Sequence, residues 1–175
     1  KDDVLIHALP IYHTHGLFVA TNVVMIAGAS MIFLPKFDPD TVFEYLPEAT
    51  SMMGVPTFYT RLLSHPQFDK DVTANMRLFV SGSAPLLAET HDAFFERTGH
   101  KILERYGMTE TCMNTSNPLD GERRPGAVGP TRGHARKRVR SLNHDAHAQV
   151  PLTADQRLGG DRPQHAVAGP PAMEA

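Results

Sequence analysis

The residues of this chain best equipped to do chemistry fall in three short stretches. KILERYGMTETCMNTSNP, from Lys101 to Pro118, runs from an apolar start into a turn dense with hydroxyl, carboxylate and amide groups. Its YGMTE segment supports two readings. Thr109 and Glu110 after Gly107 can cap a short helix, or the same hydroxyl and carboxylate can hold a phosphate and its metal ion. SGSAP, from Ser81 to Pro85, is made of small residues that let the backbone approach a flat ligand closely. PIYHTHG, from Pro10 to Gly16, holds two histidines and a glycine. His13 and His15 have HxH spacing, but no third ligand cluster accompanies them, so a metal site is not expected there.

Two arginines add fixed charge. The guanidinium fork of Arg61 or Arg105 is suited to a carboxylate, which it grips through two parallel hydrogen bonds. Taken alone, Arg61 reads equally as a solvated helix-face residue, and Arg105 as the partner of Glu104 or Glu110 in a structural ion pair. His7, on a strand, reads as a core or pocket-lining residue. The one cysteine, Cys112, lies just past the YGMTE segment and reads as incidental.

The elements that must position these groups alternate short β-rich runs with helical segments, which predicts an α/β fold with a mostly parallel sheet flanked by helices. VLIHALP is a strand entering a loop. The span from Gly16 to Ala27, apolar on nearly every face, predicts a buried helix released by a turn at Gly28 into the strand ASMIFLP. Asp38 caps the next helix with Pro39 at its first position, and TSMMGVP is a third strand. Pro56 opens a helix that ends before Pro66, MRLFVSG is the fourth strand, and LLAETHDAFFERTG is an amphipathic helix closed by Gly99. KILERYG is the fifth strand. SGSAP and YGMTE thus both follow strands at their carboxyl ends, where open α/β sheets bind ligands.

Bulk properties exclude some classes of function. A formal net charge of -2 with no broad basic stripe argues against nucleic-acid binding. The longest apolar run, Leu17 to Leu34, is interrupted by Thr21, Asn22, Gly28 and Ser30 and falls short of the roughly 20 apolar residues that span a bilayer. One cysteine allows no internal disulfide, and the first residues lack the pattern of a signal peptide, so a cytoplasmic setting is expected. Nothing in the sequence fixes an oligomeric state.

Residues 130–175 differ in kind. They contain no Phe, Tyr, Trp or Ile, whereas residues 1–129 hold every aromatic in the chain. Such a segment buries too little apolar surface to offset its ordering entropy, so disorder is expected. Its abrupt Arg, Ala, Pro, Gly and His bias is that of GC-rich DNA translated in a shifted frame; a natural disordered tail is the alternative.

PIYHTHG, SGSAP and YGMTE, in this order and spacing, resemble the adenylate-forming acyl-CoA synthetase superfamily over roughly residues 1–129, the central part of its large AMP-binding domain. Within it, ERYGMTETCMNTS and GVPTFYTRLL resemble the malonyl-CoA synthetases. The resemblance implies ATP, Mg²⁺ and coenzyme A as reaction partners and malonate as the acid, with methylmalonate or another short acid as an alternative. It implies that the backbone of Ser83, Ala84 and Pro85 lines the adenine pocket, that Tyr106 stacks on the base, and that Glu104, Gly107 and Met108 belong to the same nucleotide-binding stretch. Thr109 would then bond the α-phosphate, Glu110 would coordinate Mg²⁺ and His13 would stand at the mouth of the acyl site. Arg61, Ser83 and Arg105 would hold the distal carboxylate. The superfamily's phosphate loop would precede this segment, and its ribose-binding aspartate, hinge and catalytic lysine would fall in or beyond residues 130–175. The chain by itself is therefore expected to be inactive, and a noncatalytic nucleotide-binding remnant is the remaining reading.

Overall fold

The computed structural model describes residues 2–129, and the elements in them follow from short apolar runs separated by turn residues. Six strands, β1 (Val4–His7), β2 (Ser30–Phe33), β3 (Ser51–Gly54), β4 (Leu78–Ser81), β5 (Leu103–Met108) and β6 (Cys112–Ser116), form one sheet in the order β2-β1-β3-β4-β5-β6. The first five pair in parallel, and β6 returns antiparallel to β5. β3 and β4 are buried along their whole length, as strands covered on both faces must be.

Alternation along each strand divides the core in two. Ile6, Met52, Phe79 and Ile102 face one layer, with Val42, Tyr59, Leu62 and Phe94. Their chain neighbours Leu5, Met53, Val80 and Leu103 face the other, with Leu9, Ala20 and Val24. Tyr59 ties the first layer to the sheet: its ring meets Phe94 edge-on, and its hydroxyl donates to the Val80 carbonyl at 2.5 Å.

The helix signals hold at the expected residues. In α2 (Pro39–Tyr45) the Asp38 carboxylate accepts from the Thr41 N–H at 3.0 Å and from its hydroxyl at 2.9 Å. Pro56 opens α3 (Pro56–Leu63), and α4 (Ala88–Thr98) ends at Gly99 in the left-handed region. The fold class is as the sequence indicates.

Two segments differ. The expected buried helix from Gly16 is a π-helical stretch, His15–Thr21, continuing as α1 (Asn22–Ala27), and only Gly16, Ala20 and Val24 are buried. Those three lie four residues apart on the single face that meets the sheet. Phe18, Met25 and Ile26 point elsewhere and are exposed, because one packing partner covers one stripe and not the whole surface. CMNTS, polar and not expected as a strand, becomes β6 by pairing across a tight turn with β5. Residues 130–175, with their expected disorder and shifted frame, lie outside the described residues.

Candidate active-site cleft

A cleft of about 1060 Å³ opens beyond the carboxyl ends of the parallel strands. Its walls come from the loop after β1 (Leu9 to Gly16), the segment leaving β2 (Phe33 to Phe37), Val55, Phe58 and Arg61 after β3, Gly82 and Ser83 after β4, and Gly107 to Thr109 at the end of β5. Each motif stretch thus reaches the cleft because the parallel sheet delivers all of these strand ends to the same side.

Glycines make the loops close. A Cβ at Gly16 would overlap the Pro10 carbonyl, so the loop after β1 folds back on itself only with glycine there. A Cβ at Gly107 would overlap the Cys112 carbonyl. At that point the β5–β6 ladder shifts register, with Tyr106 opposite Thr115 but Gly107 opposite Met113. Such a bulge bends the strand and re-aims its side chains. Ser83 and Cys112 hold left-handed backbone, with φ of 68° and 57°, conformations that cost other residues than glycine about 1–3 kcal/mol and cluster at functional sites.

Side chains join the loops. Thr14 Oγ1 donates to Thr109 Oγ1 at 3.2 Å, and His15 Nδ1 lies 3.1 Å from Ser83 Oγ. Behind them, the buried His7 places Nε2 3.0 Å from the Gly16 carbonyl and 2.9 Å from Thr21 Oγ1. A carbonyl only accepts, so Nε2 carries the hydrogen, while the Thr21 hydroxyl donates to the same carbonyl at 2.9 Å. Burial, then the charge of Arg105, then that of His7, depress the His15 pKa to about 4, so its ring is neutral at pH 7.

Of the residues singled out in the sequence, His13, Ser83, Gly107, Met108, Thr109 and Arg61 line the cleft together. Arg61 lies over the Phe37 ring at 5.0 Å, and Phe37 stacks on Phe58 at 3.8 Å, giving the cation an aromatic shelf. Ala84, Pro85, Glu104, Arg105, Tyr106 and Glu110 are not among its lining residues. Arg105 is half-buried near His15. Glu104 is buried and accepts from the Leu86 N–H at 3.2 Å, and burial pushes its pKa up against that bond. Tyr106 is exposed, and its hydroxyl donates to Met108 Sδ at 3.6 Å. Glu110 is exposed in the turn next to Thr109.

Sequence reasoning gave no site role to Lys36, Thr14 or His15. The signal for Lys36 was a lone cation in FLPKFDP, directly after a strand end; it lines the cleft with Arg61. Among the described residues no three His, Cys, Asp or Glu side chains gather to hold a metal. Mg²⁺ is commonly bound by one or two carboxylates together with substrate phosphates, and the exposed Glu110 beside Thr109 fits that arrangement. No helix among the described residues is long and apolar enough to cross a membrane.

Comparison with known proteins agrees with this geometry. The AMP-binding enzyme family matches residues 1–154. A mitochondrial malonate–CoA ligase of Xenopus laevis is 39% identical over 145 residues, which cover 74% of this chain and 25% of that protein. The crystal structure of ATP-bound MatB from Rhodopseudomonas palustris is 68% identical, with a TM-score of 0.74 over 75% of this chain and 26% of that one. A malonyl-CoA ligase ternary product complex with methylmalonyl-CoA and AMP bound is 41% identical, with a TM-score of 0.70. The chain spans about a quarter of the length of the Xenopus and Rhodopseudomonas proteins.

Proposed function

The chain belongs to the AMP-binding enzyme family, and on that premise we propose that it is the central part of a ligase joining malonate to coenzyme A through a malonyl-adenylate. The observation that carries the proposal is the cleft itself, which sets the Arg61 guanidinium on its aromatic shelf in the same cavity as Ser83 and Thr109. A fatty-acid pocket would be apolar at that wall, whereas malonate keeps one carboxylate charged while the other reacts, and that charge needs a cation.

In the proposed reaction one malonate carboxylate oxygen attacks the α-phosphorus of ATP, and pyrophosphate leaves. The coenzyme A thiolate then attacks the acyl carbon, and AMP leaves. Arg61, Arg105 and Ser83 hold the distal carboxylate, so that the reacting one is oriented. His13 stands at the acyl mouth, Thr109 bonds the α-phosphate, and the backbone of Ser83, Ala84 and Pro85, with Tyr106 and the stretch from Glu104 through Met108, receives the adenine. Glu110 would hold Mg²⁺, which supplies neutralising charge to the phosphates.

Replacing the matching quarter of the Rhodopseudomonas enzyme with residues 2–129 tests this directly. The graft should retain malonate-dependent pyrophosphate release, and a folded graft without it would overturn the proposal. The chain alone should release none, and calorimetric titration with AMP separates an inactive segment that keeps the nucleotide site from one that does not. Methylmalonate is the second reading, favoured by the methylmalonyl-CoA in the 41% identical product complex; competition between the two acids in the graft decides it. The proposed setting is the cytoplasm, to be checked by fractionation against mitochondria, the compartment in the Xenopus relative's name.

A further inference from the structure

We propose that His15 is a positioning residue for acid selection: its imidazole fixes the Ser83 hydroxyl, and it is itself set in place by His7 through the Gly16–Thr21 stretch. The inference rests on the malonate reading above, in which Ser83 meets the distal carboxylate.

Four observations converge on the pair. His15 Nδ1 lies 3.1 Å from Ser83 Oγ, and both residues line the cleft. Ser83 holds φ 68°, a conformation that a serine keeps only where its surroundings impose it. The preceding Gly82 makes room for the ring, since a Cβ there would stand 3.2 Å from His15 Cε1. On the other side, His15 begins the π-helical stretch whose Gly16 carbonyl and Thr21 hydroxyl are both held by the buried His7 Nε2. A chain of contacts therefore runs from strand β1 to one hydroxyl in the cleft. π-helical insertions are commonly found at functional sites.

The neutral state of His15 at pH 7 agrees with this role. A neutral imidazole carrying its one proton on Nδ1 donates to Ser83 Oγ, which leaves the hydroxyl hydrogen directed at the carboxylate rather than free to rotate. A serine so oriented discriminates between acids with and without a second carboxylate, because a charge-assisted hydrogen bond is sensitive to direction.

The test is an NMR titration of the full 175-residue chain with malonate and, separately, acetate, which lacks the distal carboxylate. The wild type should prefer malonate. His15→Ala should weaken malonate about tenfold, the effect of one charge-assisted hydrogen bond, and leave acetate within about twofold. His15→Asn, whose side-chain amide N–H can donate near the Nδ1 position, should restore most of the difference. In a Ser83→Ala background, His15→Ala should add little, as expected of residues that act through one contact. Equal losses for both acids, or an undiminished effect of His15→Ala in the Ser83→Ala background, would overturn the positioning role. If His15→Ala fails to fold, the His15→Asn and Ser83→Ala chains decide: the first should keep the malonate preference and the second should lose it, and any other result overturns the role. A wild-type chain that binds both acids alike, or neither, overturns this inference, while the graft decides the malonate reading separately.

Discussion

Thr14 Oγ1 donates to Thr109 Oγ1 across 3.2 Å, joining the loop after β1 to the turn of the β5–β6 hairpin. Both residues line the cleft, so the contact closes one wall of it. Thr14→Val removes the donor while keeping the shape. Because the bond is exposed, it should cost no more than about 1 kcal/mol of stability. Its effect should be local: amide exchange from Gly107 to Met113 should speed up while β3 and β4 stay protected. Unchanged exchange in the hairpin would show that the ladder alone holds it.

Gly107 makes a stronger claim. A Cβ there meets the backbone carbonyl of Cys112, which cannot swing aside as a side-chain end can. Gly107→Ala should therefore displace the hairpin and destabilise the chain by about 1–3 kcal/mol, the usual range for overpacking. A lower melting temperature together with weakened AMP binding is the expected outcome. Gly28→Ala is the comparison: φ there is 63°, but nothing stands within 4 Å, so stability alone should fall, with AMP binding intact.

What the sequence made legible follows from local rules. Asp38, Pro39, Pro56 and Gly99 mark helix ends by chemistry that acts within a few residues, and each does so in the structure. β6 escaped because the side chains of CMNTS do not favour a strand; β5 supplies the hydrogen bonds that make it one. α1 misled because apolar composition says that a surface can be buried, not that a partner exists among the described residues to bury it. In the cleft, Arg61, Ser83 and Thr109 stood in recognisable stretches, while Lys36 had no motif around it and came in through the geometry of a strand end. His15 was visible as half of an HxH pair, yet its contact with Ser83 spans separate loops and has no local signature.

Two carboxyl groups should give stability opposite dependences on pH. Burial raises the pKa of Glu104 above the ordinary glutamate value, so the native state binds its proton more tightly than the unfolded chain does. Stability from this group is present at low pH and is lost as pH rises through the raised value. The hydrogen bonds from Arg77, at 3.0 and 2.6 Å, hold Asp3 below the usual carboxylate range. Its contribution is present above the ordinary aspartate value and is lost as pH falls through the lowered one, though solvent screens this partly exposed pair. Urea midpoints measured from about pH 3 to 8 should show Glu104→Gln flattening the decline toward neutral pH and Asp3→Asn flattening the decline toward acid. A Glu104→Gln profile parallel to the wild type would contradict the burial argument.

The Arg61 shelf separates the two readings that the sequence left open for this residue. A solvated helix-face arginine can be replaced without consequence for the cleft. Arg61, although exposed, lies over Phe37, which itself stacks on Phe58, so its guanidinium has an aromatic contact at the cleft wall. Arg61→Lys keeps the charge but loses the planar fork and much of the stacking, so malonate binding should weaken about tenfold. Arg61→Ala should weaken it further and leave a neutral short-chain ester unaffected, since that ligand offers no second charge. Raising the salt concentration should shrink the difference between wild type and Arg61→Ala, because the exposed cation is screened by added ions. Malonate affinity unchanged in Arg61→Ala would return this residue to the helix face and leave the distal carboxylate to Ser83 and Arg105.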